Sequence, residues 1–200
     1  MTPRISPVDP ITASTEVYQL LERTQRHFEC VPNLHATLAS APAALRGYLD
    51  FQSALALGRL SPVLANQIGL LVSEENGSRY CVAVYARRCA GAGLASPELL
   101  GNQRGESQDA RVAAALRFAA AVLDSRGRVM DCELAGIRKA GFDNEEIGEI
   151  IAHVALTCFE SFFGHVARPE HDGPCVPLQL IRSRTDLNGL PARPCTPACP

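Results

Sequence analysis

Apolar residues recur along this chain at intervals of three and four. No segment alternates apolar with polar positions between turn residues, so the pattern predicts helices and no sheet. Val17, Leu20, Leu21, Thr24 and Phe28 mark a first helix over about Thr15 to His27. Pro32-Asn33 opens a short second helix through Leu38, and Pro42 opens a third that turns Leu45, Tyr48, Leu49 and Leu55 inward before Gly58 stops it. Further on, Ser96-Pro97 starts a short helix that ends at Gly101, with loop from there to Glu106. A helix from about Gln108 to Ser125 carries Val112, Leu116, Ala119 and Leu123 on one face, and another runs from about Asp131 to Ala140. Asp143 and Glu146 have capping-box spacing and open the longest helix, Asn144 to Ala167, with Ile147, Ile150, Ile151, Val154, Cys158 and Phe162 as its apolar stripe. Together these elements predict an all-α bundle of about eight helices in one domain, residues 14–168. A Pro-rich extended arm, residues 1–13, precedes it, and a Pro-rich tail, residues 169–200, follows, with Arg182 to Pro200 expected to be disordered.

The middle of the chain is the most distinctive. Ser61 and Pro62 form a helix start, and no charged residue occurs from Ser61 to Ser73. Leu64, Ile68, Leu71 and Val72 form one apolar stripe while Val63, Asn66 and Leu70 lie opposite, as expected of a central helix. Asn66 is thereby expected among apolar neighbours and in need of a hydrogen-bond partner. Asn76-Gly77 reads as a helix end and turn. The helix that begins about Ser78 then carries Ser78, Cys81, Tyr85 and Cys89 within one stripe about 80° wide, so these four share a face.

This stretch resembles the core motif of the AhpD-like alkylhydroperoxidase/carboxymuconolactone decarboxylase family. Redox members of that family carry a Glu, then twelve residues on a C-x-x-C, then a His four beyond the second Cys. The matching positions here are Asn66, Ser78, Cys81 and Tyr85, so three of the four differ. The likeness extends through VPNL at Val31–Leu34, RGESQD at Arg104–Asp109 and IIAHVAL at Ile150–Leu156, covering roughly Pro32 to Arg168. It implies an AhpD-like helical bundle, self-association as dimers or larger rings, and Cys81 as the attacking sulfur.

Charge changes the picture only by exclusion. A formal net charge of −2, from 19 basic and 21 acidic residues, gives no electrostatic footprint for nucleic acid or an acidic membrane. MTPRISPVDP lacks an apolar stretch after a basic start, and no run approaches the roughly 18 apolar residues of a membrane span, so a cytoplasmic location is expected. Eight cysteines then read as free thiols, with Cys30, Cys132 and Cys158 expected to be buried as small hydrophobes. Cys195 and Cys199, in CTPAC, have no second ligand pair nearby, and neither a metal nor an organic cofactor is expected.

The chemistry follows from the residue types. A Ser at position 78 cannot close a disulfide with Cys81, a phenol is a proton donor at neutral pH, and an amide has no proton to exchange. Cys89 is about 12 Å of helical rise from Cys81, too far for a disulfide, while Cys158 or Cys30 could be brought near by folding. Three functions compete. One is an enzyme that has left dithiol peroxidase chemistry and acts on a small organic metabolite. In it Tyr85 serves as donor or general acid, Asn66 as a positioning or oxyanion-binding amide, Cys81 as nucleophile, and Ser78 lies on the same face. Another is a residual Cys81-dependent hydroperoxide reductase with a resolving thiol from elsewhere. The third is a non-catalytic oligomeric ligand-binding protein. His153 would supply a base if its side of the helix faced the pocket, and His165 shares that ambiguity. Arg79, Arg87 and Arg88 either face solvent near the helix end or bind a substrate carboxylate.

Overall fold

The computed structural model describes residues 3–28 and 30–172, and the regular structure of those residues is entirely helical. Nine helices occur among them: α1 (Thr15–Phe28), α2 (Asn33–Leu38), α3 (Pro42–Leu55), α4 (Pro62–Glu75), α5 (Arg79–Gly91), α6 (Ser96–Gln103), α7 (Ala110–Ser125), α8 (Asp131–Lys139) and α9 (Asn144–Ala167). The starts follow from local chemistry. Ser61 Oγ accepts from Leu64 N at 3.2 Å to cap α4, and Asp109 accepts from Arg111 N at 2.7 Å to cap α7. Asp143 and Glu146 form the expected reciprocal cap on α9, at 2.9 and 3.1 Å.

The uncharged helix α4 sits at the centre and packs on α5, α6, α7 and α9. Three apolar clusters surround it. One joins α4, α7, α8 and α9 through Ile68, Leu71, Leu116, Ile137 and Ile150. A second joins α5 and α6 with Leu34 and Leu70, and a third gathers α1, α2 and α3 around Leu156 of α9. The N-terminal arm is tied to both ends of this arrangement: Arg4 N donates to Ala167 O at 2.8 Å and Val8 N to Ala36 O at 2.8 Å.

Several expectations require correction. Helix α6 runs past Gly101 to Gln103, because Asn102 is fully buried in a polar knot. Gln67 Nε2 donates to Asn102 Oδ1 at 2.9 Å, and Asn102 Nδ2 donates to Glu98 Oε1 at 2.9 Å and Glu106 O at 3.0 Å. On α9, Ile151 and Phe162 are exposed, Cys158 is only half-buried, and Leu156, Thr157, Glu160 and Ser161 are buried instead. This helix touches α2, α3, α4, α5 and α7, so it buries far more than one stripe. By length and composition α9 is apolar enough to cross a bilayer, although no comparable run was expected. Leu55 is half-buried rather than inside, and of the three cysteines expected in the core Cys30 is exposed while Cys132 and Cys158 are half-buried. The expected disordered tail, Arg182 to Pro200, and Cys195 and Cys199 lie outside the described residues.

Candidate active site

Helix α5 begins after a tight turn in which Gly77 takes φ +65°, a conformation open to glycine without strain, and Ser78 N reaches back to Ser73 O at 2.9 Å. That turn lays α5 along α4 and points Cys81 and Tyr85 into a cavity of about 300 Å³ at the seam between the second and third clusters. Its walls come from several elements, with Phe28 of α1 and Asp172 after α9 among them. The connection between α1 and α2 supplies Cys30 and Pro32; α2 supplies Leu34 and His35; α3 supplies Tyr48; α5 supplies Tyr80, Cys81, Tyr85 and Arg88; α9 supplies Glu160. The lining is mostly aromatic and apolar, as small-molecule sites commonly are.

Glu160 is the centre of its polar part. The carboxyl is buried, and it accepts from Tyr48 Oη at 2.5 Å on one oxygen and from Tyr85 Oη at 2.8 Å on the other. Burial pushes Glu160 above the usual carboxylate range, against the opposing pull of the two phenols and the Arg88 charge. Burial and then the neighbouring Glu160 charge hold both phenols well above their ordinary value, so both are protonated donors at neutral pH. Tyr85 reaches this position because α4 offers no side chain in its way. A Cβ on Gly69 would lie 2.3 Å from a Tyr85 ring carbon.

Cys81 is 2 % exposed, and burial, followed by the Glu160 charge, pushes its thiol up to about 12. The hydroxyls of Ser78 and Ser161 flank the sulfur and favour its thiolate, as does Arg88, but burial outweighs them. Ser78 is buried just before α5 and does not cap the helix with its side chain. At the cavity rim the Asp172 carboxylate accepts from Asn33 N at 2.7 Å and from the Tyr80 hydroxyl.

Of the residues singled out from sequence, Cys81 and Tyr85 therefore meet in one cavity, with Ser78 packed behind the sulfur. Asn66 does not join them. It is half-buried, off the cavity, and no hydrogen bond to it is present among the described residues; its partial exposure lets water replace the protein partner expected for a buried amide. Cys89 is fully buried in the second cluster, and Cys158 accepts from Asn76 Nδ2 at 3.7 Å away from the cavity. His153 does not line the cavity, and burial lowers its proton affinity. His165 is exposed, 2.8 Å from Asn76 O. Arg79 and Arg87 are exposed and Arg88 is half-buried; Arg87 and Arg88 both line the cavity. Sequence reasoning missed His35, Tyr48 and Glu160. No three His, Cys, Asp or Glu side chains form a metal-holding group among the described residues.

Solved structures share this helical fold. The alkylhydroperoxidase AhpD core of an uncharacterized peroxidase-related protein from Ralstonia eutropha JMP134 superposes with a TM-score of 0.74 at 21 % identity, over 85 % of this chain and 92 % of that one. The fold is AhpD-like. A peroxidase-related protein from Silicibacter sp. TM1040 matches with a TM-score of 0.71 at 20 % identity, over 85 % and 93 % of the two chains. A Cys-to-Ala variant of the debrominase Bmp8, in complex with 2,3,4-tribromopyrrole, matches with a TM-score of 0.73 at 16 % identity, over 86 % and 94 %. No protein-family model and no curated protein matches the sequence. Within the AhpD-like fold, α5 of this chain presents one thiol, Cys81, and two phenols, Tyr80 and Tyr85, to the cavity, with the acid coming from α9.

Proposed function

We propose that this AhpD-like chain is a Cys81-dependent enzyme acting on a small aromatic molecule, with Glu160 and Tyr85 as its proton relay. The observation that carries the reading is the convergence of a thiol, a buried carboxyl and a phenol on one aromatic-walled cavity. The debrominase of the same fold suggests the reaction class, reductive removal of a halogen. Glu160 takes the Cys81 proton, which removes the negative charge that holds the thiol up and leaves Arg88 facing the thiolate. The thiolate sulfur takes the halogen from a ring carbon, forming S–X as C–X breaks. Tyr85 protonates the electron pair left on carbon and is reprotonated from Glu160. A small external thiol then displaces halide from Cys81 and a second releases it as a disulfide, so two thiols are oxidised for each C–X bond reduced. Thiol supply of this kind belongs to a reducing compartment, which fits a cytoplasmic location.

The test is turnover of mono- and dihalogenated pyrroles, phenols and benzoates with excess small thiol, followed by mass spectrometry of the dehalogenated product. Product formation that is lost in Cys81→Ala and reduced in Tyr85→Phe is expected. Turnover indifferent to Cys81, or none across the panel, defeats the proposal.

A second reading, hydroperoxide reduction, draws on Cys30, which lines the same cavity as Cys81. There the outer peroxide oxygen passes to Cys81 as a sulfenic acid with release of an alcohol, and the Cys30 thiol condenses with it to a disulfide and water. Peptide mapping after an organic hydroperoxide would find that disulfide, and unmodified Cys81 would remove this reading. Self-association is part of the proposal too. Ile151, Phe159, Phe162 and Val166 leave an exposed apolar stripe along α9, and light scattering above the monomer mass is expected.

A further inference from the structure

We infer that Arg88 is an anion anchor, and that the molecule bound in the cavity is a small aromatic carboxylate. The inference deepens the reading of the cavity as an aromatic substrate site and rests on it. Arg88 lies with its guanidinium carbon 5.2 Å from the Phe28 ring centre and 5.3 Å from that of Tyr85, over both rings. Stacking holds the cation half-buried at the cavity wall but uses its faces, leaving its N–H groups to other partners. Its charge is felt at Glu160 and Cys81, but among the described residues its side chain forms no ion pair or hydrogen bond.

The other charges around the cavity are already engaged. Asp172 accepts from Asn33 N and Tyr80, Glu160 accepts from two phenols, and Arg87 is exposed and donates to Asp172 O at 3.2 Å. A cavity of about 300 Å³ lies at the small end of the range for small-molecule sites and has room for one ring with a short substituent. The planar guanidinium fork matches a carboxylate in two parallel hydrogen bonds. An aromatic carboxylate thus meets the rings with its body and Arg88 with its charge, while Cys81 and Tyr85 face the same space.

Benzoate and its neutral isostere benzamide are the probes, titrated by calorimetry or ligand-observed NMR against the full chain, Arg88→Gln and Arg88→Lys. The wild-type chain is expected to bind benzoate at least about tenfold more tightly than benzamide, the preference a charge-assisted pair gives. Arg88→Gln is expected to abolish the preference by weakening benzoate alone, while Arg88→Lys keeps its direction because the charge remains. Circular dichroism confirms that each variant is folded. Equal binding of both probes to the wild-type chain overturns the anion anchor and leaves the aromatic cavity standing. Unchanged preference in Arg88→Gln does the same. Binding of neither probe removes the aromatic-site reading, and the anchor with it.

Discussion

Iodoacetamide should find Cys81 almost inert at neutral pH, and the pH dependence of its alkylation tests the electrostatic account of the site. With the thiol pushed up to about 12, only about one molecule in 10⁵ carries a thiolate at pH 7, against a few per cent for an ordinary free cysteine near 8.5. The difference is about three orders of magnitude in the reactive species before steric access is counted. Access also matters, because the side chain is 2 % exposed. The slope separates the two causes. A thiol limited by access alone stops gaining rate once pH exceeds about 8.5, whereas Cys81 should gain about tenfold per pH unit past pH 10. Peptide mapping after short pulses at each pH measures this site by site, with the far-ultraviolet spectrum confirming that the helices persist. Glu160→Gln removes the second contribution to the shift and should raise the rate at every pH below the plateau. A plateau by pH 9, or labelling of Cys81 at neutral pH at the rate of an ordinary cysteine, would refute the reasoning.

Glu160→Leu leaves the Tyr48 and Tyr85 hydroxyls buried without their carboxylate acceptor, and should cost about 2–6 kcal/mol in a denaturant titration at about 1–3 kcal/mol per orphaned group. A loss below 0.5 kcal/mol would show that the phenols find other partners. The folded value of Glu160 is raised, so its contribution to stability is complete below the ordinary carboxylate range near 4.3 and is lost as pH rises through the folded value. Stability of the wild-type chain relative to Glu160→Gln should therefore fall with rising pH across that window, and a difference that grows instead contradicts the assigned burial. Gly69→Ala places a carbon where the Tyr85 ring now lies, 2.3 Å from one of its atoms, so turnover should drop at least about tenfold with the helical content retained. Full activity in Gly69→Ala would mean that the position of Tyr85 is unimportant.

Much of this fold is legible locally because its helices announce themselves with caps and prolines. Ser61-Pro62, Pro42, Ser96-Pro97 and Asp143 with Glu146 each begin a helix where the side-chain chemistry says one should begin. Cys81 and Tyr85 were legible as a pair for the same reason, since four residues along a helix fixes a shared face. Glu160 was not. A carboxylate on a mostly apolar helix reads as the solvent side, and only Tyr48 and Tyr85, 112 and 75 residues away in sequence, make its burial tolerable. Tyr48 had been visible as a core position of α3, but a phenol in a core gives no sign of which acceptor its hydroxyl will meet. The α9 stripe failed for a related reason. A helix packed on five neighbours buries residues around most of its circumference, and one face read from apolar spacing then leaves out Thr157 and Ser161.

The placement of Glu160 also decides which way protons move. In the family motif that this chain resembles, a Glu and a His would flank the cysteines, and an imidazole can take a proton from a thiol at neutral pH. Here those positions hold Asn66, which stands off the cavity, and Tyr85, whose phenol stays protonated. Among the groups that act on the Cys81 thiol, the one able to accept its proton is the Glu160 carboxylate, and its proton affinity is raised by the same burial that makes a second negative charge beside it unfavourable. Thiolate and carboxylate do not coexist easily there, so in the proposed reaction the sulfur would react as its proton moves to Glu160, and Tyr85, bonded to that carboxyl at 2.8 Å, would carry a proton onward. Such a relay begins with a proton held on sulfur and ends with one available to the substrate. That inventory fits a reaction in which sulfur is oxidised while the substrate gains a proton, as when hydrogen replaces a ring halogen, better than a disulfide cycle confined to α5.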